Sequence, residues 1–199
     1  MSAQAQPRVT PEQYLEIERA AEFRNEFYNG RIYAMSGGSW THAVVIGNFV
    51  RSLGNALDKR PCFVTSSDMR MCVSPDGLYT YPDIMVICGE PKFLDGRTDT
   101  VVNPALVVEV LSPSTEAYDR GFKAAQYRTV GSLKEYALVS QAEARVEVFR
   151  RKSAHEWLMS EFVGVEAICR FDSVECEAPL ADIYDKVTFE TGPSPADRS

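Results

Sequence analysis

A single mixed α/β (α+β) domain is predicted by three observations on this 199-residue chain. Helical and strand-like apolar patterns alternate along it, 45% of its residues are hydrophobic and 25% charged, and no shift in composition marks a linker. A chain of this length buries a sizeable core. Residues 1–190 are therefore expected to form one domain, a mixed central β-sheet flanked by helices and preceded by a helix and a hairpin. The Pro- and Ser-rich stretch TGPSPADRS, 191–199, is predicted to be a disordered tail.

The elements follow in chain order. Thr10-Pro11-Glu12-Gln13 combines an N-cap threonine, a first-turn proline and a capping-box glutamine, which predicts a helix from about Pro11 to Ala21 with Tyr14, Leu15 and Ile17 on its apolar side. Asn29-Gly30 lies between two short aromatic and β-branched segments, a hairpin signal. From Ser39 to about Leu57, Val45, Ile46, Phe49, Val50, Leu53 and Leu57 recur at helical spacing, so a long amphipathic helix is expected to begin near His42 and to end before Arg60-Pro61. Strands are predicted at about Cys62–Val73, Tyr81–Cys88 and Ala105–Ser112, with Pro75-Asp76-Gly77 as a turn and 89–103 as a polar connection. A helix from Glu116 to about Val130 should carry Phe122, Ala125 and Gln126 inward and stop at Gly131. Strands at Glu135–Ser140 and Arg145–Arg151, one or two more, and a short segment around Leu180–Tyr184 complete the expected core.

Composition also excludes. MSAQAQPRVTPEQ lacks the apolar core of a secretory signal and no later run is long enough for a membrane span, so a cytoplasmic protein without membrane contact is predicted. The five cysteines are scattered and lack paired zinc-ligand spacing, and are expected to be reduced packing residues. The net charge of −7 is unlike that of a domain gripping phosphates through a basic face.

Two acids break apolar strands. Glu109 interrupts PALVVEVLSPST between Val108 and Val110, and Asp83 stands at the mouth of YPDIMVIC. An unpaired buried carboxylate costs several kcal/mol. If these strands are neighbours, the two side chains converge, and a hard divalent cation removes the repulsion between them. Magnesium, with manganese as the alternative, is the natural candidate because it binds through one or two carboxylates plus waters and a phosphate. It would also bridge an acidic protein to a phosphodiester. The competing reading of Glu109 is a structural pairing with arginine or lysine.

Pro82-Asp83, Glu109 within an apolar strand and a following lysine resemble the PD-(D/E)XK nuclease superfamily. More narrowly, NPALVVEVLSPST, the D-x-x-x-K-x-x-x-Y that follows and KEYALVS resemble the Uma-type restriction endonucleases. That resemblance implies a restriction-endonuclease-like core and metal-dependent cleavage of DNA, with Asp83 and Glu109 as metal ligands and the Val110 carbonyl as a third. The superfamily places its lysine two residues after the acid, where this chain has Leu111. Lys123 is the candidate substitute, since Asp119, Lys123 and Tyr127 share one helical face. It would steady the attacking water or the developing phosphoryl charge. Its competing reading is a solvated i,i+4 pair with Asp119. Glu26 and His42 match recurrent family residues and are weaker candidates, for the metal's outer shell and for substrate or a metal-bound water respectively. A homodimer is expected, because two sites serve the cutting of two strands. The rival function is a catalytically inert binding or assembly module on the same fold. A third possibility is a phosphohydrolase acting on RNA.

Overall fold

A computed structural model describes residues 8–189, so the predicted tail lies outside the described residues. The first helix, α1 (Pro11–Ala20), carries the predicted capping box: Thr10 Oγ1 accepts from the Gln13 N–H and Gln13 Oε1 accepts from the Thr10 N–H. The hairpin β1 (Asn25–Tyr28) and β2 (Arg31–Ala34) turns on Asn29 and Gly30, with φ of 46° and 78°. Such left-handed angles match the twist of a two-residue hairpin and explain the Asn-Gly pair. Helix α2 (Trp40–Ala56) is capped by Ser39, whose hydroxyl accepts from the His42 N–H at 3.1 Å.

After α2 come β3 (Cys62–Ser66), β4 (Arg70–Cys72), β5 (Tyr79–Thr80), β6 (Ile84–Cys88), β7 (Thr100–Val101) and β8 (Leu106–Leu111). One predicted strand is thus divided and another shortened. The stretch 62–73 breaks at a turn into β3 and β4, and the strand expected over Tyr81–Cys88 begins only at Ile84, as β6, with the short β5 before it in the other sheet. In both cases the chain leaves one sheet and enters another, an exchange that apolar content does not record. The polar connection after Gly89 also holds a 3-10 turn at Leu94–Gly96 and the short β7.

The second half supplies α3 (Glu116–Tyr118), a π-helical turn (Asp119–Lys123) and α4 (Ala124–Tyr127), which run on as one segment. Then follow β9 (Glu135–Ser140), β10 (Arg145–Arg151), β11 (Trp157–Val163), β12 (Ile168–Phe171), β13 (Cys176–Pro179) and α5 (Leu180–Ile183). The π turn adds a residue to the helical repeat and shifts its phase. Consequently Asp119, Lys123, Ala124 and Tyr127 are buried and Phe122 and Gln126 half-buried, Phe122 against the core, whereas Ala125, predicted inward, is exposed.

The expected mixed central sheet is present, and among the described residues two further sheets stand beside it. A six-stranded mixed sheet runs β11-β10-β9-β8-β6-β3, a five-stranded one β2-β1-β5-β4-β7, and β12 pairs with β13. Only β8–β9 in the larger sheet and β4–β7 in the smaller are parallel. Parallel neighbours need a crossover, and the α3–α4 segment is the crossover between β8 and β9, which holds it beside them. Side chains alternate across the large sheet. Leu106, Val108 and Val110 of β8 pack with Val45, Phe49 and Leu53 of α2. Val107 and Leu111 pack on the opposite face with Ala124, Tyr127 and Leu133. A third cluster joins Tyr14 and Leu15 to Phe27 and Tyr79.

Cys62 and Cys88 form a disulfide, which corrects the expectation that all the cysteines are reduced. They are register partners across the antiparallel β3–β6 pair, a proximity that a spacing of 26 residues conceals. Cys72, Cys169 and Cys176 are free and buried, as packing residues. No described helix is long and apolar enough to cross a membrane.

Candidate functional site

The site begins with the register of two strands. β6 and β8 pair antiparallel through Ile84↔Val108 and Met85↔Val107, and one further step brings Asp83 opposite Glu109. The two residues interlock. Val110 N–H donates to Asp83 Oδ2 at 2.7 Å, and Asp83 N–H donates to Glu109 Oε2 at 3.2 Å. Glu109 lies on the sheet face shared with Val107 and Leu111, so it points at the crossover segment and is only 2% exposed.

That segment brings the cation. Lys123 Nζ stands 3.2 Å from Glu109 Oε1, 3.2 Å from Glu26 Oε1 and 3.5 Å from Asp119 Oδ1. The pairing of Lys123 with Asp119 exists, but it is buried rather than solvated. Tyr127 donates its hydroxyl to Glu109 Oε1 at 2.7 Å, and Tyr136 donates to the Asp119 carbonyl at 3.1 Å. Leu111 sits in the core beside Tyr127. The lysine therefore enters from the helix while the residue two places after the acid packs the sheet.

Glu26 and His42 close the two sides. Glu26 faces Lys123 from β1, held by the hydroxyls of Thr80 and of Tyr118, the latter at 3.1 Å. His42 lies on the buried face of α2, one turn before Val45, and its Nε2 is 3.2 Å from Asp83 Oδ2. Gly38 permits this position, since a Cβ there would lie 2.5 Å from His42 Nδ1. All five predicted side chains thus meet at one end of the large sheet. Asp83, Glu109, Lys123 and His42 line a cleft of about 260 Å³ together with Val110, Ser112, Asp119 and the 35–39 loop, and Glu26 adjoins it through Lys123.

Burial dominates the electrostatics. It pushes the Glu109 carboxyl up to about 8, with the charges of Asp83 and Asp119 adding, while Lys123 and the Tyr127 hydroxyl oppose the rise. Burial likewise raises Asp119. For Lys123 burial works against the ammonium, yet Glu109, Glu26, Asp119 and Asp83 outweigh it, and its pKa lies above the ordinary lysine value. Several acids share this cation, so it stays charged whichever of them holds a proton. His42 is also raised: burial lowers it, but the hydrogen bond and charge of Asp83 prevail, with the Val110 backbone contributing.

Asp119 and Tyr127 belonged to the helical-face pattern in the sequence, although neither was assigned a role in the site. Thr80 and Tyr118, which hold Glu26, carried no signal at all. Their proximity arises from pairing between sheet segments and from the phase shift of the π turn. Arg120, three residues before Lys123, is bound by Glu116 at 2.7 Å and Glu147 at 2.6 Å. Among the described residues no group of three or more His, Cys, Asp or Glu side chains forms a ready metal cage. Two carboxylates with an adjacent backbone carbonyl do suit a hard cation that keeps most of its waters.

The chain is 37% identical over 163 residues to "Uncharacterized protein sll1609" of Synechocystis sp., covering 82% of this chain and 92% of that protein. It is 36% identical over 183 residues to "Uncharacterized protein slr1290" of the same organism, covering 92% and 95%. In three dimensions it resembles the crystal structure of "a putative nuclease belonging to DUF820" from Anabaena variabilis, with a TM-score of 0.72 over 88% of this chain and 97% of the other at 17% identity. The likeness shows a shared mixed α/β fold. The model of the Uma2 family, described as "Putative restriction endonuclease", matches residues 11–177, and the chain belongs to that family.

Proposed function

We propose that this protein is a magnesium-dependent endonuclease that hydrolyses phosphodiester bonds in DNA, working in the cytoplasm as a homodimer whose two sites serve two strands. The observation that carries the reading is the meeting of Asp83 and Glu109 in register on adjacent strands, with the Lys123 ammonium 3.2 Å from Glu109. Asp83, Glu109 and the Val110 carbonyl would hold the cation, with manganese as the alternative. Bound there, it supplies Lewis-acid polarisation of the phosphoryl oxygen and a water of lowered pKa. Lys123 stands beside the carboxylates, where it can orient the attacking water through Nζ and offset charge growing on the phosphoryl oxygens. His42 holds Asp83 through Nε2, and Tyr127 fixes the Glu109 carboxylate. The 2% exposure of Glu109 keeps bulk water from weakening these interactions.

The test is cleavage of supercoiled plasmid, single-stranded DNA and RNA in millimolar magnesium or manganese. Nicking of plasmid supports the reading, and intact substrates throughout refute it. Cleavage of RNA alone reassigns the substrate.

The pH dependence adds a second measurement. Cation binding needs the Glu109 carboxylate, and burial places that carboxyl near 8, so binding displaces a proton below that pH. The sign for stability follows. A carboxyl raised in the fold favours the folded state at low pH, and that contribution is lost between about 4.5 and 8 as pH rises. Magnesium affinity is therefore expected to rise from pH 6.5 to pH 8.5 by calorimetric titration, with protons released on binding at the lower pH. A pH-independent affinity would mean that the carboxyl engaged by the cation is already ionised at pH 6.5.

The inert-module alternative draws on the occupation of Glu109 Oε1 by both Lys123 and Tyr127. Failure to bind any divalent cation at millimolar concentration would favour it.

A further inference from the structure

A second concavity adjoins the cleft from the β1 side. The hairpin sends alternate residues to opposite faces, so Phe27 enters the core while Glu26, Tyr28 and Tyr33 share the other face, with Glu26 and Tyr33 directly paired across the strands. The crossover segment faces them with Tyr118 and Phe122, stacked at 5.3 Å between centroids and 15° between planes. Tyr28 meets Phe122 edge-on at 4.6 Å. Together these five residues line a pocket of about 510 Å³. Tyr33 and Tyr118 nevertheless remain 47% and 36% exposed, so part of this aromatic wall is left unstacked.

Two features relate the pocket to the cleft. Glu26 links them through Lys123: it lines the pocket, and its carboxylate and that of Glu109 lie on the same ammonium, each 3.2 Å from Lys123 Nζ. The ring centroid of Tyr118 is 5.5 Å from that same nitrogen. An aromatic wall thus begins about one nucleotide's reach from the paired carboxylates. The charge distribution supplies the complementary need. With a net charge of −7, Arg120 tied to two glutamates and Lys123 only 6% exposed, phosphate contacts offer little affinity for a strand. Stacking of bases on aromatic rings offers affinity that does not depend on a cationic face.

We infer that this pocket receives an unpaired nucleobase of the strand held at Asp83 and Glu109, stacked against Tyr33 and Tyr118, with the acceptor oxygens of Glu26 facing the base edge. The inference rests on the nuclease reading for the identity of the strand. It assigns to the hairpin the role of reading or anchoring a flanking nucleotide, and it requires that nucleotide to be unpaired or flipped from a duplex.

A single-stranded oligodeoxynucleotide carrying 2-aminopurine, whose emission falls when it stacks, tests it on the full protein with calcium in place of magnesium. Quenching is expected on binding to the wild type. Tyr33→Ala should remove the quench and weaken binding by roughly 5- to 150-fold, the equivalent of the ~1–3 kcal/mol of one base stacked on an aromatic side chain. Tyr33→Trp should restore both, and the affinity should vary little with salt. Circular dichroism monitors folding of each variant. Cleavage in magnesium is followed in parallel. Quenching that depends on Tyr33 supports the pocket whether or not the strand is cut, whereas a strand that is cut without quenching leaves the nuclease reading standing and overturns the pocket. Tyr33→Ala that turns a dimer into a monomer while the quench persists identifies the pocket as a contact between copies, and also overturns it.

Discussion

Asp83→Ala and Glu109→Ala are each expected to abolish magnesium-dependent nicking while leaving the protein folded. A bound cation contributes several kcal/mol of transition-state stabilisation, and each ~1.4 kcal/mol is a factor of ten in rate, so a loss of about 10³-fold or more should follow from either change. Folding should survive for a specific reason. Glu109 is a buried carboxylate pushed up to about 8 by its surroundings, which means that above this pH the ionised group burdens the native state. Its removal still leaves Lys123 between Glu26 and Asp119. Urea unfolding at pH 8 in the absence of divalent cations should give a midpoint for Glu109→Ala within the range set by losing one packed side chain. The nicking assay is the decisive reading, and activity surviving both substitutions would overturn the assignment of the site.

Lys123→Met should behave in the opposite way, losing stability as well as activity. The substitution keeps much of the side-chain volume but leaves Glu26, Glu109 and Asp119 around a neutral chain. Removing one partner from a buried ionic cluster costs about 3–5 kcal/mol, because the remaining charges lose their compensation. The cost should depend on pH with a definite sign. Without the ammonium the raised carboxyls of Glu109 and Asp119 rise further in the fold, so the deficit is fully expressed at pH 8 and shrinks toward pH 5 as they take up protons. Denaturant midpoints of the variant and wild type at the two pH values check this. A deficit of the same size at both would mean that packing, not charge, is what Lys123 supplies.

These two behaviours also indicate how far the site could be read from the residues. Asp83 and Glu109 were legible because each violates a local rule, a charge in an apolar strand, and a violation needs no tertiary information to be seen. Pairing them required only that β6 and β8 be neighbours. Lys123 was legible as a face shared with Asp119 and Tyr127, but its burial was not. The π turn changes the phase of the segment, and a periodicity of 3.6 residues places Ala125 inward where Ala124 stands. Tyr118 was invisible for the same reason. The division of the strands was hidden differently: Cys62–Val73 reads as one extended run because apolar content does not say which sheet a residue joins. The disulfide was missed because Cys62 and Cys88 become partners only through the register of β3 and β6.

The crossover segment has a thermal consequence. It consists of pieces of three, five and four residues with a π turn between the two α-helical ends, whereas Glu109 lies within one strand of a six-stranded sheet and Asp83 immediately before its neighbour. Short helical pieces open at lower free energy than central strands. Heating should therefore detach the lysine from the carboxylates before the sheet melts, and catalytic inactivation should precede the loss of β-structure by several degrees. The protein would then carry a reversible off-state below its melting temperature, set by how firmly one short segment is docked.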